Sequence, residues 1–395
     1  MDLSRSPNHR AVRLVCLFLV SRLALLAVGL MSVFILPSAV GSQPGNLVWH
    51  RPAPAPLEIW ARWDSEWYLL IASEGYAVGE TLAELGLPYS KDAAAGFLPL
   101  YPMLIRVLSP LFDGVAAGVI ISNLCLFVSL LLLDRLVRLE TGTEAGESAA
   151  LVACTALLLH PSSLFLSAVY AESLFLVLSI GAFLGARTGR FGVAGVLGGL
   201  AALTRPFGVL LVMPLAWEWW KARGEADETT GKSARLLSGL WILLVPAAMV
   251  GYMLFTRSIF GDPLALLHRQ EKWRGGLSGP WRAFIRWWEA GPVVHGAHGS
   301  TFELIVALTC LALLAVMARK LRPSYTIYAA SAVVLALGST LWSFSRLTLT
   351  LFPFFMLAGM AWMKGRRCLP TFYAFVGGAV GSFLMVLFAN WWWAG

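Results

Sequence analysis

Charge is scarce in this 395-residue chain: 13% of its residues are Asp, Glu, Lys or Arg, where a soluble globular chain carries roughly 25%. With 58% apolar residues and a mean hydropathy of +0.72, that shortage excludes a soluble domain and makes the chain a polytopic membrane protein. Cysteine is scarce too. Cys16, Cys125, Cys154, Cys310 and Cys368 all lie in or beside apolar runs, with no C-x-x-C and no histidine at metal-ligand spacing. That excludes a disulfide framework and leaves helix packing as their role. No compact Asp/His cluster demands a metal, so no cofactor and no obligatory metal are expected. Internal repeats, low-complexity tracts and soluble domains are missing as well, so residues 1–395 are read as one integral-membrane unit. The net charge of +8 would suit nucleic acid, but the basic residues sit in short clusters between apolar runs. That pattern orients membrane helices, and no nucleic-acid partner is expected.

Spanning helices need about 20 mostly apolar residues, and bundles tolerate shorter ones. Eleven candidates follow: Ala11–Leu36, Gly114–Leu139, Ser148–Ala168, Ala171–Ala186, Phe191–Thr204, Pro206–Trp219, Leu236–Phe255, Phe302–Ala318, Tyr325–Trp342, Leu347–Met363 and Thr371–Asn390. The first is too long for a signal-peptide core and lacks an A-x-A cleavage site, so it is expected to be retained. With the N-terminus inside, seventeen of the thirty basic residues fall in short inner segments and twelve outside, nearly all in two long loops. Arg22 lies within the first span, where an internal partner is expected. An odd number of crossings puts the C-terminus outside, with Trp391-Trp392-Trp393 as an interfacial belt.

The two long outer segments, 37–113 and 257–300, are expected to carry function and to contain interfacial helices. The second alternates basic and aromatic residues from His268 to Trp288, which suits an amphipathic helix at the headgroups or a plain anchor equally. The first contains Arg62-Trp63-Asp64-Ser65-Glu66-Trp67-Tyr68 and Glu74-Gly75-Tyr76. An aspartate among aromatic rings suits a general base acting on a hydroxyl, although such groups also serve as interfacial anchors. Phe97-Leu98-Pro99-Leu100-Tyr101-Pro102 bends the chain as it re-enters the membrane. Glu172, after Val169-Tyr170-Ala171, is either functional or a helix N-terminal charge. Arg205 and Arg346 fall at outer helix ends, where a planar guanidinium suits a lipid phosphate and a snorkelling arginine looks the same.

In this order, Arg62-Trp63-Asp64 with Tyr68 and Gly75-Tyr76, then Phe97 to Pro102, then Pro161 to Phe165 with Tyr170 to Phe175, the chain resembles the PIG-V-like mannosyltransferases of the GT-C superfamily. The similarity runs from about Ser21 to Pro214. It continues weakly through Gly261-Asp262-Pro263-Leu264 with Gln270 and Trp273, and through Arg346 with Pro353. The resemblance implies a GT-C-like bundle whose first outer loop carries a catalytic aspartate, matched by Asp64. It further implies inverting transfer of mannose from a polyprenyl-phosphate donor to a glycan or glycolipid acceptor on the outer face of the membrane. The eukaryotic members act on glycosylphosphatidylinositol precursors. This chain is more compact and has Thr204-Arg205-Pro206-Phe207-Gly208 where those enzymes have an Arg-Ser-Asn-Gly-like run. It is more similar to bacterial members, placed in a plasma membrane, and an amino-sugar or pentose donor stays open.

Asp64 is thus expected to be catalytic, Arg205 and Arg346 (with His268) to meet the donor phosphate, and Arg62, Trp63, Glu66, Tyr68, Tyr170, Glu172, His268 and Gln270 to contact substrate. Asp64 and Glu66 point in different directions at helical spacing, so only one reaches a cavity. The rival reading is a lipid or sugar transporter, which calls for repeated halves and midplane charges. Here Arg22 alone is strongly placed for the midplane.

Overall fold

Proline and glycine decide where this apolar sequence becomes helix. The computed structural model describes residues 7–37, 55–84, 90, 92–224, 237–296 and 298–395, and among them the regular structure is helical apart from one isolated bridge between Val293 and Ser300. Pro7, Pro323 and Pro353 open their helices, where a missing N–H costs nothing. Pro214 and Pro246 lie further in, and the turns just before them, Pro206–Leu211 and Gly239–Leu243, are 3-10 helix. A proline removes the bond to the carbonyl four residues back, so the preceding turn tightens.

Among the described residues five helices are long and apolar enough to cross a membrane: Arg10–Ile35, Gly114–Thr141, Gly239–Phe260, Thr301–Lys320 and Cys368–Ala389. Most of their side chains face outward, as an apolar solvent permits, and this is an integral membrane protein. Shorter helices fill the middle, where Glu172–Arg187 is buried along nearly its whole length. Small residues let the backbones close up: a Cβ on Gly195 would lie 2.1 Å from the Trp241 carbonyl oxygen, and one on Gly359 2.4 Å from that of Ala149.

All eleven apolar runs contain helix, but they are not eleven uninterrupted crossings. The Ser148–Ala168 run stops at Leu158, because Pro161 cannot continue the ladder, and a 3-10 turn at Ser163–Leu166 follows. Arg22 caps this break from the first helix, donating to the carbonyls of Leu158 at 3.0 Å and Ser163 at 2.9 Å. Its internal partner is therefore a set of backbone oxygens. The Tyr325–Trp342 run is helical only to Leu337, and Leu347–Met363 divides into Phe344–Leu349 and Pro353–Met363. The run at 236–255 extends to Phe260, so the second outer segment leaves its helix at Gly261. Residue 236, and most of the loop between Arg223 and Lys232, lie outside the described residues.

Both long segments carry short helices, as expected. Asp64–Glu74 packs on Leu100–Leu108, and Ala265–Arg274 lies over the turn at Ala93–Gly96. There a Cβ on Gly96 would collide with the Trp273 ring, 2.4 Å away. Arg269 fastens the two segments together, donating from Nη1 to Ser90 Oγ at 2.8 Å.

Candidate active site

Asp64 is the first residue of its helix, and the residue before it is held in an unusual shape. Trp63 has φ 57° and ψ −117°, a left-handed conformation that a bulky side chain adopts only when its surroundings compel it. The compelling contacts are aromatic: the Trp63 ring meets Trp393 edge-on at 5.1 Å and Trp391 at 6.4 Å. The Tyr170 hydroxyl completes the clamp, accepting from Asp64 N–H at 3.2 Å while donating to the Arg62 carbonyl at 3.1 Å.

From that position Asp64 Oδ2 accepts from Arg346 Nη1 at 2.7 Å. Arg346 stacks over Tyr170 and Phe165, at 5.3 and 5.4 Å from the ring centres. Its Nε lies 3.7 Å from Glu172 Oε1, and Arg205 forms a close ion pair with that same oxygen. Four groups scattered over 283 positions thus form one chain, Asp64–Arg346–Glu172–Arg205. Glu172 Oε2 and Arg346 Nε are buried with no hydrogen-bond partner among the described residues. A buried polar atom left unmatched is costly, and at a cavity wall it keeps bonding capacity open to whatever occupies the cavity.

The cavity measures about 1080 Å³, just above the roughly 300–1,000 Å³ of single small-ligand sites. Asp64, Trp63, Tyr68, Tyr170, Glu172, Arg205 and Arg346 line it from one side, and Gln270, Glu271, Trp273 and Arg274 close it from the second outer segment. Arg62, Glu66 and His268 do not line it. Arg62 is buried against the last helix, donating to the Ala389 carbonyl at 3.3 Å and to Glu58 at 3.2 Å. Glu66 is 4% exposed and turned away from the cavity, as its spacing from Asp64 requires. His268 is half exposed and pairs with Asp262 at 2.7 Å.

Two features were not legible from sequence. Arg274 ends the Ala265–Arg274 helix just before Gly275, whose φ of 72° stops it, and donates from Nη1 to the Trp342 carbonyl at 2.9 Å. Arg205 and Arg346 are both paired with carboxylates, but among the described residues no carboxylate pairs with Arg274. Burial, and then the Arg346 charge, lower its guanidinium to about 10, so it stays charged at neutral pH. Its only sequence signal was membership of the basic-aromatic stretch. The tryptophans after Ala389 also turn inward instead of forming a belt. Trp391 is buried, Trp393 packs on Trp63 and Trp342, and Trp392 is half exposed at the cavity wall. Asn390 anchors that turn on the first helix, donating to Ser32 Oγ at 3.0 Å.

The family profile described as Mannosyltransferase (PIG-V) matches residues 12–222, more than half of the chain. The chain belongs to the PIG-V mannosyltransferase family. The match includes Asp64, Tyr170, Glu172 and Arg205, while Arg274 and Arg346 lie beyond it. Among PIG-V relatives, the GPI alpha-1,6-mannosyltransferase 2 of Rattus norvegicus is 30% identical over 161 residues, 38% of this chain and 30% of the relative. That of Mus musculus is 30% identical over 159 residues, 38% of this chain and 29% of the relative. The chain thus matches less than a third of the length of these relatives. Among solved structures, ArnT from Cupriavidus metallidurans, bound to undecaprenyl phosphate, superposes with a TM-score of 0.51 at 14% identity. That superposition covers 95% of this chain and 76% of ArnT. The chain therefore has a GT-C-like fold.

Proposed function

We propose that this chain is a membrane glycosyltransferase that moves mannose or a related sugar from a polyprenyl-phosphate donor to a glycan or glycolipid acceptor. The observation that carries the reading is that Asp64 lies on the wall of a cavity that also presents Arg274, with which no carboxylate pairs among the described residues. Membership of the PIG-V family and the undecaprenyl phosphate named with ArnT support it.

The acceptor hydroxyl attacks the anomeric carbon from the face opposite the phosphate. As the new C–O bond forms, the bond to the phosphate oxygen breaks, its electron pair leaves with the polyprenyl monophosphate, and the configuration inverts. The hydroxyl proton passes to Asp64. Arg346 occupies Oδ2 and orients the carboxylate, so the other oxygen is the one that meets the hydroxyl. Arg274 receives the phosphate charge as it develops, with Arg346 and Arg205 flanking it. Trp63, Tyr68 and Tyr170 exclude water from the reacting centre.

The basic-residue distribution supports an extracytoplasmic site, with the N-terminus inside and the C-terminus outside. The run at Thr204 to Gly208 supports a bacterial plasma membrane. The decisive assay is transfer by purified protein from labelled polyprenyl-phosphate mannose. Asp64→Asn is expected to lower turnover about 10²- to 10⁴-fold with donor binding retained, and Glu66→Gln to leave it near parental. A parental rate in Asp64→Asn would mean another group is the base. Lipid translocation without any transfer would make the chain a transporter.

A further inference from the structure

The second outer segment re-enters the bundle at Ser300-Thr301-Phe302-Glu303. In this pattern the serine ordinarily caps the helix and the glutamate reaches back to the serine's own N–H. Half of the exchange is present, since Ser300 Oγ accepts from Glu303 N–H at 3.3 Å. The glutamate side chain has gone elsewhere. Glu303 is 1% exposed, and both its oxygens reach across to Ser345: Oε2 accepts from the Ser345 N–H at 2.6 Å and Oε1 from the Ser345 hydroxyl at 2.8 Å. The same hydroxyl accepts from Ser162 Oγ at 2.9 Å, so three distant segments meet on one serine.

Ser345 immediately precedes Arg346, in a segment that needs holding. Ser343 has φ 60° and ψ 29°, a left-handed conformation disfavoured for any residue with a Cβ. The carbonyl just before it, that of Trp342, is held by Arg274. Glu303 grips the segment on its other side. Satisfying the Ser345 N–H alone would take any neutral acceptor, whereas a buried carboxylate carries a desolvation penalty. The two Ser345 hydrogen bonds, and then the positive charges of Arg346 and Arg274, offset part of that penalty.

We infer that Glu303 is a positioning residue that acts through Ser345 to hold Arg346 against Asp64. It thereby ties the end of the second outer segment to the proposed base. Its effect on rate rests on the transferase reading above, and its effect on the backbone does not. With labelled polyprenyl-phosphate mannose, Glu303→Ala should lower kcat about 10²-fold, the scale of a misplacement near 1 Å, with donor KM little changed. Glu303→Gln, which keeps an acceptor at the site, should recover most of the rate. In an Arg346→Ala background, Glu303→Ala should add nothing. A full additional loss in that background, or a loss confined to donor KM, overturns the inference. Hydrogen exchange across residues 343–347 supplies the arm that needs no activity. Exchange there should accelerate in Glu303→Ala and slow again in Glu303→Gln, and unchanged exchange overturns the inference even if transfer is never found. If Glu303→Ala does not fold, Ser345→Ala removes the hydroxyl link, keeps the main-chain one, and is read by the same criteria.

Discussion

Both ends of the helix bundle hold buried arginine–glutamate networks, and they are built to different standards. At one end Glu218 is 3% exposed and fully occupied: Ser324 Oγ donates at 2.5 Å, Arg322 Nη2 at 3.3 Å, and Arg187 Nη1 stands at 3.7 Å. Arg187 is also bonded to Glu140 at 2.5 Å, and the Tyr325 hydroxyl donates to that same glutamate at 2.9 Å. At the other end Glu172 is equally buried and also pairs with two arginines, yet it leaves Oε2 unmatched beside a cavity of about 1080 Å³. The residue types are the same. What separates the structural clasp from the proposed reaction site here is unfilled bonding capacity next to open space, and neither property belongs to any single residue.

That contrast is sharpest if the two glutamates are changed alike. Glu218→Gln should destabilise the protein by about 3–5 kcal/mol, the usual result of breaking a buried ion pair from one side. The rate per folded molecule should stay near parental, as thermal unfolding in detergent alongside a transfer assay would register. Glu172→Gln should do the reverse. Its arginines can be solvated through the cavity, so the stability loss is smaller, while turnover falls about 10²-fold because Arg346 and Arg205 lose their common anchor. Equal stability losses with equal rates would erase the distinction.

A smaller effect is expected at Arg274. Hydrogen bonds to charged groups contribute about 1.5–3 kcal/mol, so Arg274→Ala should weaken binding of undecaprenyl phosphate by roughly one to two orders of magnitude. Arg322→Ala, at the opposite end, should leave that binding unchanged, and titration of the lipid into both variants compares them directly. The smallest effect is expected at His268→Ala. Its ring pairs with Asp262 on the surface of the second outer segment, away from the cavity, and kcat/KM should stay within about twofold, inside the ±0.5 kcal/mol of ordinary surface changes. A large loss there would show that the Ala265–Arg274 helix moves during turnover and brings the imidazole in.

Much of the architecture was legible before any coordinates. Apolar runs, prolines and basic clusters are local signals. They sufficed for an all-helical membrane bundle and for helices in both outer segments; helical spacing sends Asp64 and Glu66 in different directions, but it was the aromatic setting and the family resemblance that singled out Asp64. Asp64 was singled out as an aspartate among aromatic rings, and Glu172, Arg205 and Arg346 one at a time as ionisable groups at helix ends beside apolar runs. That they form one chain of contacts was not legible, since Asp64 and Arg346 are 282 positions apart and nothing in either neighbourhood names the other.

Tertiary structure alone decided the remaining assignments. It turned Arg62 against Ala389 and removed His268 from the cavity. It folded Trp391 and Trp393 inward where the chain pattern reads as an interfacial belt. It left Arg274 as the lining arginine without a carboxylate partner among the described residues, and it diverted Glu303 from its own helix cap to Ser345. The physical reason is common to all five. Whether a helix forms depends on neighbours within a turn or two, which the sequence displays. Whether a charge is spent on a partner or free for a ligand depends on groups that only the packed bundle brings within about 3 Å.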